Sequence, residues 1–322
     1  MLRYVIKRLL LIIPVILGVL IIVFFFQTVS GDDPVDQILT EGATEAMKEA
    51  KREELGLNDP IVVQFGRYVW KFVSQGDLGT SYKSGQPVTG EIMSRFPTTI
   101  KLALGSVLLS IIIGIPLGIL AAVKQYTPTD SGLLAFSVLS ASLPSFWFAL
   151  LLISLFSVKL GWLPTSGLGT WKNWVMPVIV VSVASMSNII RVTRSSMLET
   201  IRQDYIRTAR AKGQAEYVIV FDHVLRNSLI PIVSAIGNTL GIQLGGSLIV
   251  ESVFGLPGIG KYAVDAISQR NFPSLLGSVV ILAITFSLVN LLVDLVYTVV
   301  DPRVKTSLFG KGKKKKPTAG KA

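Results

Sequence analysis

The chain alternates long uncharged apolar runs with short stretches that concentrate its Lys and Arg residues, and run length decides what the apolar segments can be. A helix needs roughly 20 consecutive apolar residues to cross a hydrocarbon core. That ruler predicts about six transmembrane helices: Leu9 to Val29, Leu102 to Val123, Ser131 to Val158, Trp174 to Ile190, Asn227 to Val250, and Asn271 to Val293 with an extension to Val300. The fourth is the shortest and carries Pro177, which softens its N-terminal boundary. The first follows Arg3, Lys7 and Arg8, as in a signal peptide, but its apolar run is too long and Thr28-Val29-Ser30-Gly31 offers no small-x-small cleavage site. An uncleaved anchor is expected, and the fold class is an all-α membrane protein.

The polar segments orient these spans, because positive charge in short loops is held on the cytoplasmic side. The N-terminus brings Arg3, Lys7 and Arg8, and the loop over about 191–226 brings Arg191, Arg194, Arg202, Arg207, Arg210, Lys212 and Arg226. A tail over 302–322 is rich in lysine, whereas the third and fifth loops hold only Lys159, Lys172, Lys261 and Arg270. Both termini are therefore expected in the cytoplasm. The long hydrophilic segment 30–97 then lies outside, between an N-terminal segment with its first span at 1–29 and a transmembrane core at 98–301. Its Asp32, Asp33 and Asp36 and a helix-like stretch from Thr44 to Leu55 give it an acidic surface. Ile61, Val62, Phe65, Tyr68, Val69 and Phe72 recur at helical spacing and are expected to pack against the body of the protein.

Composition narrows the function. Half of the 322 residues are hydrophobic and 16% are charged, with a net charge of +11, and the mean hydropathy is +0.59. The basic residues sit in membrane loops and the tail, so the charge is read as topology and contact with acidic lipid, and no nucleic-acid partner is expected. With no cysteine and one histidine, disulfide frameworks and Cys/His catalysis are excluded, and no catalytic or metal-ligating residue is expected. A hydrolase in the membrane would need a base beside a nucleophile, and His223 lies in the basic loop.

Gly255-Leu-Pro-Gly-Ile-Gly260-Lys261-Tyr262 fits the spacing of a phosphate-binding loop through its lysine. It then places Tyr262 where a Ser or Thr must hold magnesium, follows a membrane span instead of a strand, and faces outward. A tight turn between the fifth and sixth spans is expected instead. In the basic loop, Met197, Leu198, Ile201 and Tyr205 fall on one helical face, which predicts an amphipathic helix ended by Gly213 and a second short helix over Glu216 to Val224 on the membrane surface. On the fifth span, Gly237, Gly241 and Gly245 form a stripe suited to close helix packing. Asn238, Gln243, Ser247 and Glu251 are candidates for lining a substrate path, and Glu251 and Asp294 equally suit snorkelling at span ends.

Asp204-Tyr-Ile-Arg-Thr-Ala-Arg-Ala-Lys-Gly213, followed by His223-Val-Leu-Arg-Asn-Ser-Leu-Ile-Pro231, resembles the permease signature of bacterial binding-protein-dependent ABC importers. Further stretches narrow the likeness to the B-type permease subunit of peptide, nickel and glutathione importers. They are Arg52-Glu-Glu-Leu-Gly-Leu-Asn-Asp-Pro60, Pro97-Thr-Thr-Ile-Lys-Leu-Ala-Leu104, Gly114-Ile-Pro-Leu-Gly118, Ile249 to Gly260 and Asp301-Pro-Arg-Val304. Together they cover nearly the whole chain. The chain departs from the general family pattern at Arg207, where an acidic residue is usual, and at His223-Val-Leu-Arg226, where Ile-x-Leu-Pro is usual.

The resemblance implies a type I ABC importer permease fold in the bacterial inner membrane. It also implies that the signature is a coupling helix seated in a cleft of an ATP-hydrolysing subunit. By position, Arg207, Thr208, Ala209, Arg210, Ala211, Lys212, Gly213 and Glu216 would make that joint, with Arg207, Arg210 and Glu216 as polar contacts. The implied partners are a second homologous permease, two cytoplasmic ATPases that bind ATP and magnesium, and an extracytoplasmic substrate-binding protein. The chain itself would hold no cofactor. The expected function is inward movement of di- or oligopeptides, or a related small solute, by ATP-driven alternating access. The alternative is an ion-coupled secondary transporter, which would need ionisable groups near the midplane.

Overall fold

The computed structural model describes residues 2–30, 33–39 and 42–300. The basic tail, Asp32 and the Asp301 to Val304 stretch lie outside the described residues. Helices account for most of what is described, and the only β pairing there is an isolated bridge between Thr80 and Pro87.

The apolar runs become helices because nothing in a bilayer core can satisfy backbone groups except the segment itself. They are α1 (Leu2–Ser30), α5 (Val88–Val123), α8 (Lys172–Ile201), α11 (Arg226–Gly246) and α14 (Phe272–Val300). Five helical segments among the described residues are long and apolar enough to cross a membrane, and six if the bent pair α6 (Pro128–Ser142) and α7 (Ser145–Leu152) is one span.

Several boundaries differ from the sequence expectation. The second span belongs to a helix that starts at Val88, so the boundary at residue 97 falls inside it. The third is broken by 98° between Ser142 and Ser145, where Pro144 keeps Leu143 extended with ψ 122°. α8 runs eleven residues past Ile190, to Ile201. Met197, Leu198 and Ile201 therefore belong to the span, while Tyr205 sits on the next helix. Glu216 to Val224 is no separate surface helix. The short α10 (Glu216–Val218) and a π-helical segment (Ile219–Leu225) lead directly into α11. The fifth span stops at Gly246, and α12 (Leu248–Val253) and α13 (Ile259–Ser268) fill the space expected to be a tight turn.

The most extensive packing in the core is between α5 and α8. Ser106, Ser110, Gly114 and Gly118 recur every four residues on α5, giving a smooth stripe against which α8 lies. A Cβ on Gly114 would stand 3.1 Å from a methyl of Ile189, and one on Gly118 would stand 2.6 Å from Cβ of Thr193 and 2.9 Å from the Ile190 carbonyl. Ser110 Oγ donates to the Ser182 carbonyl across the same seam at 3.0 Å. The expected stripe on α11 is also used, against α14: a Cβ on Gly237 would meet Val293 at 2.3 Å, and one on Gly241 would meet Phe286 at 3.1 Å. Gly245 has open space around it. Gly118→Ala is therefore expected to destabilise the solubilised chain by about 1–3 kcal/mol through overpacking against backbone that cannot rotate away. Gly245→Ala should be near neutral, and thermal unfolding of the two variants in the same detergent checks the contrast.

α1 is peripheral. Leu10, Ile21, Phe25 and Phe26 are all more than half exposed, as lipid-facing residues are. One face packs on α14, where Arg8 pairs with Asp294 at 2.8 Å. Its far end meets α4 (Ile61–Gln75), with Phe24 edge-on to Phe65 and Tyr68 at 5.4 and 5.7 Å between centroids. Phe65, Tyr68, Val69 and Phe72 pack onto the core cluster of Leu20, Leu78 and Ile92, as the stripe predicts, whereas Ile61 and Val62 are exposed. α3 (Glu45–Leu55) is capped by the Thr44 hydroxyl and stopped by Gly56 in the left-handed region.

Candidate coupling surface and the cradle at the opposite end

α9 (Asp204–Ala211) crosses one end of the bundle. Eight residues are too few for a helix to persist alone in water, so tertiary contacts must hold it. Ile206 supplies them. It is fully buried in a cluster of Ala122 from α5, Met197 and Leu198 from α8, and Ile219, Val220 and Val224 from the lead-in to α11, with Ala209 against the same cluster. Ile206 thus shares one apolar cluster with the ends of α5 and α8 and with the segment leading into α11.

The rest of the helix faces away. Arg207, Thr208, Ala211 and Lys212 are exposed, as is Tyr205, and Tyr217 and Phe221 extend the exposed surface at 72% and 55% accessibility. Gly213 ends the helix with φ +76°, a left-handed turn in which its N–H donates to the Arg210 carbonyl and that of Gln214 to the Ala209 carbonyl. Arg210 then reaches across the turn to Glu216 through two charge-assisted bonds of 2.6 and 3.2 Å. His223 and Gln214 are joined at 2.8 Å, which fixes the imidazole within the turn. A Cβ on Gly213 would meet nothing within 4 Å, so this glycine serves backbone shape and not the close approach of another element of this chain. Beside α9, Asp130 at the start of α6 accepts two bonds from Arg194 of α8, at 2.6 and 2.7 Å, and one from the Tyr126 N–H.

The four candidates for a substrate path do not share one lining. Asn238 is exposed on α11. Gln243 is buried and joins α11 to α8 by donating to the Val181 carbonyl at 3.1 Å, with Ser185 also in contact. Ser247 and Glu251 belong to a polar cradle at the opposite end of the bundle.

That cradle explains the phosphate-loop spacing. The buried Glu251 carboxylate accepts from Thr99 Oγ1 and Ser247 Oγ at 2.9 Å each, and from the Lys261 N–H at 3.0 Å and the Gly260 N–H. Thr99 in turn accepts from the Ile259 N–H at 2.9 Å. The first N–H groups of α13 have no partner within the helix, and a carboxylate of the same chain takes the place a phosphate occupies in nucleotide sites. Gly258 and Gly260 leave room for it, since a Cβ on either would come within 2.8 Å of its atoms. One turn along, Tyr262 donates to Glu91 and also bonds Ser274 at 2.7 Å, with the Arg95 guanidinium 4.3 Å above its ring. Among the described residues no group of His, Asp or Glu is placed to hold a metal ion.

Sequence reasoning missed Ile206, Thr99 and the Asp130–Arg194 pair. Ile206 could have been found as the lone aliphatic residue in a polar stretch ended by Gly213. The other two join residues 152 and 64 positions apart, and no local signal reports that.

The family model for the inner membrane component of binding-protein-dependent transport systems matches residues 114–306, and the N-terminal model of the same transport systems matches residues 1–103. The oligopeptide transport system permease protein AppB of Bacillus subtilis is 39% identical over 316 residues, which span 95% of this chain and all of that one. The glutathione transport system permease protein GsiC of Salmonella paratyphi A is 40% identical over 305 residues, covering 95% and 99%. Among solved structures, an inward-facing conformation of the MetNI methionine ABC transporter matches with a TM-score of 0.57 at 20% identity, over 66% of this chain and 97% of that one. An amino acid ABC transporter matches with a TM-score of 0.51 at 17% identity, over 67% and 94%. At these identities the two structures speak for the fold, that of type I importer permeases.

Proposed function

Because the chain belongs to the binding-protein-dependent transport system inner membrane components, and is a multi-pass permease subunit and not an enzyme, we propose that it carries peptides or a related small solute inward by coupling α9 to an ATPase. Such a system works with an ATPase and a substrate-binding protein. In the proposed assembly a second homologous permease completes the pathway, and two ATPase subunits holding ATP and magnesium sit in the cytoplasm. The α9 end faces them, so both termini are cytoplasmic and 30–97 is outside.

The observation that carries the reading is the seat of α9. Its buried Ile206 sits in one cluster with the ends of α5 and α8 and the lead-in to α11, so force applied to the outward face is passed through that cluster to three spans. That face presents Arg207 and Lys212 without drawing on the seat. Closure of the ATPases would move α9 as a lever and shift the bundle between two packed states. Glu251, Thr99 and the start of α13 hold the far end rigid during that movement. The peptide preference follows the relatives AppB and GsiC, permease proteins of an oligopeptide and a glutathione transport system.

The test is uptake into proteoliposomes holding the complete transporter and its binding protein. The Arg207→Glu, Lys212→Glu variant is expected to lower both ATPase copurification and ATP-dependent peptide uptake at least about tenfold, in line with the cost of reversing charges at an interface, while permease abundance stays the same. Unchanged uptake would remove α9 from the joint. Uptake by the chain alone under an ion gradient would revive the secondary-transporter alternative.

A further inference from the structure

At the end of the molecule opposite α9, a cavity of about 400 Å³ lies between α1, α3, α4, the 77–85 loop and the start of α14. Its lining mixes two chemistries. Phe24, Leu57 and Leu276 are apolar, while Lys51, Arg67 and Lys71 bring three cations, with Asp77 the one anion among the lining residues. Arg67 is held by Asp59 and Lys51 by Glu54, but the Lys71 ammonium has no bonding partner among the described residues. Tyr68 lines the cavity too, and its buried hydroxyl has no hydrogen-bond partner among the described residues. An unpartnered buried hydroxyl costs about 1–3 kcal/mol unless something in the cavity accepts its proton. Burial also pushes the Tyr68 phenol up from its ordinary value, and holds that of Tyr82, on the same wall, at about 12, so both stay protonated donors at neutral pH.

The height of the cavity identifies what can reach it. The apolar stretch of α1 ends at Gln27 and that of α14 begins at Phe272, so Phe24 and Leu276 sit where hydrocarbon gives way to headgroups. Next to it α1 exposes Phe25 and Phe26 at 63% each, a surface suited to acyl chains. α4, which borders the cavity, turns Val62, Trp70 and Val73 outward at 80%, 70% and 73% exposure, the last two lying eight and eleven residues after the first. An aromatic residue on an amphipathic helix at that depth is an interfacial anchor. Cations and apolar side chains lining one cavity at headgroup level match a phosphate joined to acyl chains, and a soluble anion would have no use for the apolar lining.

We propose that this cavity holds the headgroup of an acidic phospholipid, its phosphate received by Lys71, Lys51 and the Tyr68 hydroxyl and its first acyl carbons lying on Phe24 and Leu276. The bound lipid fastens α4 and α3 to α1, the one membrane helix with little packing of its own. The inference rests on the membrane-spanning reading of α1 and α14, and not on the cargo or on α9.

Native mass spectrometry of the complete transporter in mild detergent, titrated with phosphatidylglycerol, tests it. Wild type is expected to keep one phosphatidylglycerol per copy of this chain through a delipidating wash. Tyr68→Phe, which removes only a hydroxyl without a protein partner, should weaken that binding about tenfold, as the loss of a bond to a charged group does. Lys71→Ala should weaken it by about as much; in lipid-free detergent thermal unfolding should be unchanged for Lys71→Ala and unchanged or raised for Tyr68→Phe, which removes the stranded hydroxyl. Equal retention by wild type and both variants would overturn the proposal. So would equal binding of phosphatidylcholine, or full displacement by glycerol 3-phosphate, which would give the site to a soluble phosphate.

Discussion

Glu251→Ala is expected to destabilise the chain by about 3–5 kcal/mol, the largest stability effect of any single side chain described here, because it strands buried donors and opens a cavity together. Thr99 and Ser247 would lose their acceptor, and so would the Gly260 and Lys261 N–H groups that begin α13. Thr99 cannot compensate by rotating, because it already accepts from the Ile259 N–H and so has only its hydroxyl proton to give. Glu251→Gln keeps the shape and one acceptor oxygen but turns an amide NH2 toward donors on the other side. Its cost should be smaller, about 1–2 kcal/mol. Thermal unfolding of the detergent-solubilised variants ranks them. Increased protease cleavage around Gly258 and Lys261 should appear in Glu251→Ala well below the global transition. If alanine cost no more than glutamine there, the carboxylate would not be the organiser of that end.

The largest functional effect is expected from Ile206→Ala. Removing a fully buried isoleucine from a packed seat costs about 2–5 kcal/mol, and α9 has too few residues to hold itself once its anchor is gone. The loss is local, since α5, α8 and α11 are held together by other contacts, including the Gly114–Gly118 stripe and Gln243. The chain should therefore still reach the membrane in normal amount, while ATP-dependent uptake falls at least about tenfold as the lever detaches. Trypsin should cleave faster at Arg207, Arg210 and Lys212, and Ile206→Leu should restore both readouts because it refills the seat. Full uptake by Ile206→Ala would mean that force enters the bundle elsewhere.

Much of this architecture is legible in the chain. Span number and apolar runs follow from bilayer thickness, which acts on every segment independently and so needs no knowledge of neighbours. The helix boundaries are less legible, because hydropathy ends where the membrane does and helices do not. α5 begins at Val88 and α8 continues to Ile201, each carried beyond the bilayer by contacts with other elements. The bend at Pro144 has a local cause in the sequence, yet the uninterrupted apolar run around it hides the break. Among glycines, the α11 stripe was visible by spacing, but the seam on α5 is built from two Ser followed by two Gly and shows only when α8 is placed against it. The Gly255 to Lys261 spacing departs from a phosphate loop in the sequence itself, by its missing Ser or Thr. What occupies its donors could not be read, because Glu251 and Thr99 come from different helices. In the signature itself, the outward residues were readable from charge, whereas Ile206 was overlooked in favour of Met197, Leu198 and Tyr205, two of which belong to α8.

The most direct test places a photo-crosslinking residue at Ala211, on the exposed face of α9, in the assembled and active transporter. A matched probe at Ser166, exposed at the opposite end, serves as the comparison. The account predicts a crosslink from Ala211 to the ATPase subunit and none from Ser166. A crosslink to the ATPase from Ser166, or none from Ala211 in a transporter that still couples ATP to uptake, would contradict it.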